Sequence, residues 1–218
     1  MPKISKNIKE IIEIVQKLNL KHKNLTELIA VSKNFGEESI IHAIKSGITN
    51  FGENRIQECL VKYNKILNIY PNIKLHMVGP LQTNKLKKAL ELFDTIHTID
   101  REKLVKHISK NISLKTKKKN FFIQVNIGLE TQKFGITPNE THEFVNWCKN
   151  DYNLNVIGLM CIPPMNFPAE EYFVKIKELA LTCNLQKLSM GMSNDYKIAI
   201  KCGATHIRLG TAIFGERL

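Results

Sequence analysis

Apolar residues fall along this chain in two alternating rhythms. Short, nearly continuous runs recur from end to end: LTELIAVSK (25–33), ITNFG (48–52), IKLHMVG (73–79), DTIHTI (94–99), NFFIQVNI (120–127), LNVIGLMCI (154–162), QKLSMG (186–191) and THIRLG (205–210). Between them lie segments whose apolar positions are spaced three and four apart: EESIIHAIKSG, ENRIQECLVKYNKIL, TNKLKKALELF, DREKLVKHIS, PNETHEFVNWCKN, AEEYFVKIKELALTC and SNDYKIAIKCG. The first rhythm predicts strands buried on both faces, the second amphipathic helices. Asp100 and Ser193 open two of these helical segments and are residue types that cap helix N-termini, so Ser193 is expected to cap a helix starting near Asn194.

Strand followed by helix, repeated along one chain, predicts an α/β fold of the (β/α)₈ barrel type. With 218 residues the chain is shorter than the roughly 250 typical of that fold, so its loops must be brief. A doubly wound open sheet is the second architecture, but no Gly-rich dinucleotide fingerprint follows the first strand. Ahead of the first strand, Ile8, Ile11, Ile12 and Val15 recur at helical spacing, so residues 1–20 read as an extra helix packed on the barrel, and 1–218 as one domain.

Composition narrows the setting. With 43% hydrophobic and 24% charged residues the chain is an ordered globular protein. No apolar run approaches the roughly 18 residues of a spanning helix, and the N-terminus has no secretory apolar core. The five cysteines, Cys59, Cys148, Cys161, Cys183 and Cys202, are odd in number and form no CxxC pair. Reduced packing thiols in a cytoplasmic protein are expected, without a disulfide framework or a metal site. The net charge of +12 raises nucleic acid as a partner, yet the lysines are scattered. The one dense run, KTKKKN (115–120), lacks interleaved aromatics and reads as a solvated loop. A monomer with no specific nucleic-acid partner and no membrane association is expected.

A barrel carries its chemistry at the C-terminal ends of its strands. The first strand ends toward Lys33 and the second toward Asn54; SMGMS follows the seventh strand and RLGT closes the eighth. Loops after strands seven and eight often bind phosphate, and Ser193, Gly210 and Thr211 supply hydroxyls and unobstructed backbone N–H groups there. A partly desolvated lysine in the same mouth favours its neutral amine, a nucleophile for carbonyls. An aldehyde that also carries a phosphate answers both features, and pyridoxal 5′-phosphate is such a molecule. Arg208 is placed either to donate to its pyridine nitrogen, which a guanidinium does not protonate, or to pair with a core carboxylate such as Glu53.

His76 lies in an apolar run and reads as a hydrogen-bonded core or pocket-wall residue. The segment THEFVNW, with His142 and Glu143, lacks the second histidine of a metalloprotease helix. Met160, Met165, Met190 and Met192 read as packing, with Met160 open to facing the ring, and Trp147 reads as helix packing.

The blocks AVSK, FGENRIQE, HMVGPLQTNK, IQVNIGLETQKFGI, GLMCIPP and LSMGMSNDYKIAIKCGATHIRLGTAIFG, in this order from about Leu28 to the C-terminus, closely resemble the YggS/PROSC (PLPBP) family of pyridoxal phosphate homeostasis proteins. The resemblance implies a barrel like the N-terminal domain of alanine racemase, with Lys33 holding the cofactor as an internal aldimine. It implies that Ser193, Gly210 and Thr211 grip the phosphate, that Arg208 faces the ring nitrogen and that Asn54 lines the pocket. It further implies storage, buffering and delivery of the cofactor, with PLP-dependent apo-enzymes as recipients, rather than robust turnover. The competing class is a racemase or Schiff-base barrel enzyme. Against it, a racemase needs a tyrosine base from a separate β-rich domain, and this chain ends directly after RLGTAIFGERL.

Overall fold

In the computed structural model, which describes residues 2–111, 119–165 and 167–216, all eight apolar runs form strands. They are β1 (Glu27–Val31), β2 (Asn50–Glu53), β3 (Lys74–Met77), β4 (Thr95–Ile99), β5 (Asn120–Val125), β6 (Val156–Cys161), β7 (Lys187–Ser189) and β8 (His206–Leu209). Each pairs parallel to the next, and β8 closes the ring on β1 with Ile29 opposite Arg208 and Ala30 opposite Leu209. Around this barrel lie α2 (Glu37–Lys45), α3 (Ile56–Ile69), α4 (Leu86–Leu92), α5 (Glu102–Asn111), α6 (Pro138–Asn150), α7 (Ala169–Thr182), α8 (Tyr196–Lys201) and the single turn α9 (Thr211–Phe214). Most of the basic run 115–120 lies outside the described residues.

The additional helix, α1 (Pro2–His22), runs two residues past the sequence boundary and lies against α2, α8 and α9. Ile4, Ile8, Ile11 and Val15 form its buried stripe, with Ile12 at the margin. Each such aliphatic contributes about 1.5–3 kcal/mol on burial. Polar bonds set its position: Asn7 donates to the Ile213 carbonyl at 3.0 Å, Ser5 accepts from the Ser46 hydroxyl at 2.9 Å, and Asn24, just past the helix, donates to the Ile200 carbonyl at 2.6 Å. The α1 helix thus braces the two helical turns that follow β7 and β8.

Side chains alternate between the interior of the ring and the helical shell. Phe51 of β2 turns outward onto Tyr63 of α3, with ring centroids 5.9 Å apart. Gly52, the next residue, turns inward, where a Cβ would stand 3.0 Å from Ile29 Cγ2 and 3.2 Å from Val31 Cγ2. Gly158 of β6 is under a harder constraint: a Cβ there would meet the Lys187 carbonyl oxygen at 2.1 Å. The interior is therefore packed, and its polar residues must find partners inside it.

One helix start differs from the sequence expectation. The α8 helix begins at Tyr196, not near Asn194, and Asp195 stands at its cap position. Asp195 accepts the Met192 N–H at 2.6 Å, which closes the turn and leaves Ser193 outside the helix. Asp195 holds the cap position without a side-chain bond into the helix, its carboxylate being turned back to the Met192 N–H. The clearest N-terminal box is instead at α6. There Glu140 accepts the Thr137 N–H at 3.3 Å and Pro138 occupies the first turn, a pattern legible in TPNE.

Candidate cofactor site

Lys33 stands two residues past β1, in the turn Lys33–Asn34, half-buried at the C-terminal mouth. The turn bends because Asn34 adopts a left-handed conformation, with φ of 67°. Beyond it, Phe35 stacks on Phe214 of α9, centroids 4.9 Å apart, so the Lys33 segment is tied to the turn that follows β8.

The residues flanking Lys33 are held by a buried ionic cluster between the sheet and α3. Ser32 donates its hydroxyl to Glu53 Oε1 at 2.7 Å and shares a second bond with the Tyr63 hydroxyl at 2.7 Å. The Lys62 ammonium donates to the Ser32 carbonyl at 2.8 Å and pairs with Glu53 at 2.6 Å and Glu58 at 2.8 Å. Glu58 accepts the Asn34 N–H at 2.5 Å. The backbone is thus pinned on both sides of Lys33. Burial pushes the Glu53 carboxyl up against the pull of Lys62, and burial pushes the Tyr63 hydroxyl well above its ordinary range.

Gly210, Thr211 and Ser193 come together beside this turn. Gly210 precedes α9, and a Cβ there would approach the Val31 carbonyl to 3.4 Å, an ordinary contact at the β1–β8 seam. Ser193, released from α8, accepts the Ala212 N–H at 3.2 Å, which brings the β7 and β8 loops into one cradle. Gly191, with φ of +93°, lets the β7 loop pass α8, where a Cβ would clash with Ala199 Cβ at 2.6 Å.

Arg208 lies beneath this cradle, buried in the barrel. It donates to Ser189 Oγ at 2.7 Å and to the Cys161 carbonyl at 3.1 Å. The alternative pairing of Arg208 with Glu53 is not formed. Glu53 points outward from β2 and is taken by Lys62, while Arg208 points inward from β8, so the sheet separates them. Burial lowers the Arg208 guanidinium below its ordinary value.

Asn54 follows β2 at the same mouth. The Gly79 backbone passes so close that a Cβ there would lie 2.5 Å from the Asn54 carbonyl oxygen. Asn54 lines a cavity of about 740 Å³ with Arg55, Leu81, Gln82, Lys85 and Arg101, at the ends of β2 to β4. The other five sequence-selected residues group at β1, β7 and β8 and do not line this cavity.

Two sets of partners are not marked in the sequence: Ser32, Lys62 and Tyr63, which join Glu53 beside the lysine, and Ser189 with His97 beneath the arginine. Ser32, Ser189 and His97 carry the same signal as His76, a polar residue in an apolar run, whereas Lys62 and Tyr63 lie on α3 and carry none. His76 is indeed a buried, hydrogen-bonded interior residue. Met160 packs at the register position of Ser189 and Gln124, on the inner face. All five cysteines are buried free thiols, with burial pushing Cys148 and Cys161 up to about 12.

Comparison with known proteins agrees with this geometry. The family described as "Alanine racemase, N-terminal domain" matches residues 4–218. The "Pyridoxal phosphate homeostasis protein" of Haemophilus influenzae is 36% identical over 220 residues, covering 96% of this chain and 93% of its own. That of Vibrio cholerae is 37% identical over 230 residues, covering 100% and 98%. The structure of PipY from Synechococcus elongatus, with PLP bound, superposes with a TM-score of 0.77 at 31% identity, over 93% of this chain and all of its own. Alanine racemase from Acinetobacter baumannii shares the fold alone, with a TM-score of 0.73 at 13% identity over 98% of this chain and 62% of its own. A closed eight-stranded barrel, a lysine at the end of its first strand and near full-length relatives thus converge: the chain belongs to the pyridoxal phosphate homeostasis protein family, built on the alanine racemase N-terminal fold.

Proposed function

We propose that this protein binds pyridoxal 5′-phosphate in the mouth of its barrel and serves cofactor homeostasis, storing, buffering and delivering it without robust turnover. The observation that carries the reading is the seam between β1 and β8. There the turn bearing Lys33 is joined through Phe35 and Phe214 to the cradle of Ser193, Gly210 and Thr211. The donor set suits the molecule. A primary amine stands beside small residues, hydroxyls and a helical N-terminus, with a guanidinium below.

When bound, the cofactor supplies an electrophilic aldehyde and an electron-withdrawing ring. Lys33 supplies the amine for covalent attachment, and the Lys62–Glu53–Tyr63–Ser32 cluster orients its backbone. Ser193, Thr211 and the backbone around Gly210 hold the phosphate. Asn54 would line the pocket, and Arg208 would face the ring nitrogen as a donor. Because arginine keeps its proton, it would not protonate that nitrogen, which would favour holding the cofactor over amino-acid chemistry. Residues 1–218 act as one domain in this reading. The protein works as a cytoplasmic monomer, and its partners are PLP-dependent apo-enzymes.

The test begins with the absorbance of the purified protein and with peptide mapping after borohydride reduction. The cofactor is expected on Lys33, and Lys33→Ala is expected to abolish the reducible adduct. Attachment at another lysine overturns the assignment. Incubation of the loaded protein with an apo-enzyme and, separately, with D- and L-amino acids distinguishes the roles. Transfer without multiple turnovers supports the carrier, and many Lys33-dependent turnovers defeat it.

A further inference from the structure

The barrel interior contains a chain of polar side chains with no role in the reading so far. Arg208 Nη1 donates to Ser189 Oγ at 2.7 Å. Ser189 Oγ lies 2.8 Å from His97 Nδ1, His97 Nε2 lies 3.0 Å from His76 Nδ1, and His76 Nε2 lies 3.1 Å from Asn50 Oδ1. Ser189 and His97 belong to β7 and β4, which are not neighbours in the sheet, so their bond crosses the interior. All four of Arg208, Ser189, His97 and His76 are buried.

The Arg208 end sets the direction, and Asn50, whose Nδ2 donates to Thr49 Oγ1 at 3.3 Å, presents its carbonyl oxygen at the other end. Arginine only donates, so Ser189 Oγ accepts from it and turns its own hydrogen to His97 Nδ1. His97 is then protonated at Nε2 and donates to His76 Nδ1. His76 in turn is protonated at Nε2 and donates to the Asn50 carbonyl oxygen. The opposite polarity requires Ser189 to accept twice and leaves its hydroxyl hydrogen without an acceptor in this chain. It also sets His76 Nε2 and Asn50 Oδ1 lone pair against lone pair.

We infer that Ser189, His97 and His76 form a one-directional hydrogen-bond relay that positions Arg208, fixing its guanidinium beneath the cofactor mouth while keeping the interior otherwise uncharged. The inference rests on the placement of Arg208 at the ring nitrogen proposed above; the relay itself stands on geometry alone. Its surroundings agree. His97 stacks on Phe122 with centroids 4.5 Å apart and faces His76, His206 and Arg208. His76 faces His206 and Lys74. Glu27 and Asp94 line the cavity below them, and Glu27 lies 3.8 Å from His206 Nε2, but burial prevails and both imidazoles are held neutral. Burial and these neighbours lower His76 to about 3 and hold His97 well below its usual value. A second positive charge beside Arg208 is thereby avoided. Asn50 ends the relay at the N-terminal side of the barrel. Here His76 and His206 line a cavity of about 420 Å³ with the charged residues Glu27, Lys74, Asp94, Lys119 and Lys187.

Nitrogen-15 NMR of the histidine rings in the cofactor-free full chain reads the relay directly. His97 and His76 are expected as Nε2–H tautomers with no titration between pH 8 and pH 5. Protonation of His97 at Nδ1, or titration near its ordinary midpoint, overturns the proposal whether or not the cofactor binds. Ser189→Ala is expected to collapse the single tautomer of His97. In the loaded protein it is expected to weaken cofactor affinity about tenfold, the scale of one hydrogen bond to a charged group. The absorption maximum should shift, attachment should remain on Lys33, and Ser189→Thr should restore both. Wild-type affinity and spectrum in Ser189→Ala overturn the positioning role. A wild-type protein that takes up no cofactor at Lys33 defeats the proposed function, while the tautomers still decide the relay.

Discussion

Two buried polar clusters flank the mouth of this barrel, and they are built on opposite principles. The cluster outside the sheet, Glu53, Lys62, Glu58, Tyr63 and Ser32, is ionic: a carboxylate and an ammonium 2.6 Å apart, with the Lys62 side chain 9% exposed and that of Glu53 0%. The cluster inside the ring, Ser189, His97 and His76, is neutral and carries its single charge on Arg208. The ionic cluster pins backbone, since Lys62 bonds the Ser32 carbonyl and Glu58 the Asn34 N–H on either side of Lys33. The neutral cluster aims a side chain. A buried ion pair holds geometry strongly but tolerates the loss of one partner poorly, whereas a neutral network loses about one hydrogen bond at a time.

The sharpest way to break the comparison is acid. His76 and His206 are lowered to about 3 and about 4, chiefly by burial, and His97 lies well below its usual value. Below the ordinary histidine value near 6.5 the unfolded chain binds protons that the folded chain refuses. Stability from this cluster is therefore full above that pH and is lost as pH falls toward the folded values. The slope should reach two to three protons, roughly 3–4 kcal/mol per pH unit. Glu53 runs the other way. Its raised value makes its contribution fullest below the ordinary 4.5, and that contribution falls as pH rises above it. Urea unfolding from pH 7 to pH 4.5 measures the sum, and His97→Phe should flatten the acid limb. An unchanged slope in that variant would show that the histidines do not govern it.

Next in size is Lys62→Met, which strands Glu53 in the interior. A loss of about 3–5 kcal/mol is expected. For a chain of this size that is a fall in Tm on the order of 10 °C. Glu53→Gln combined with Lys62→Met should recover much of it, because no buried charge is left alone. A double variant as unstable as Lys62→Met would mean that packing, not charge, holds this cluster.

Smallest is Tyr63→Phe, which removes one hydroxyl and leaves Ser32 bonded to Glu53. A loss of about 1 kcal/mol is expected, read by urea unfolding. The rate of attachment of pyridoxal phosphate to Lys33 should change little, because Lys62 and Glu58 still hold the flanking backbone. A severe slowing would move Tyr63 from support into the site itself.

Much of this was legible along the chain. The eight apolar runs became the eight strands, of three to six residues each, since a barrel strand covered on both faces needs a mainly apolar stretch. Lys33, Gly210 and Thr211 are candidates because barrel chemistry collects at strand ends, and they do lie just past β1 and β8. Ser193 follows β7 as expected, but its hydroxyl accepts the Ala212 N–H of α9 and does not cap α8. The alternative of Arg208 paired with Glu53 failed because alternation along the strands sends the two to opposite faces of the sheet. Ser189 and His97 were present in QKLSMG and DTIHTI without any mark of their partnership.

The order of strands and helices, the closure they imply and the residue types at the strand ends were decided by the sequence itself, because hydrophobic period and turn chemistry are local properties. The pairing of Ser189 with His97 across the ring, the capture of Glu53 by Lys62 and the neutral path to Arg208 were decided only by tertiary structure. A buried polar group takes whichever partner the closed barrel brings within about 3 Å, and that partner can lie ninety residues away, as His97 does from Ser189, which spacing along a chain does not encode.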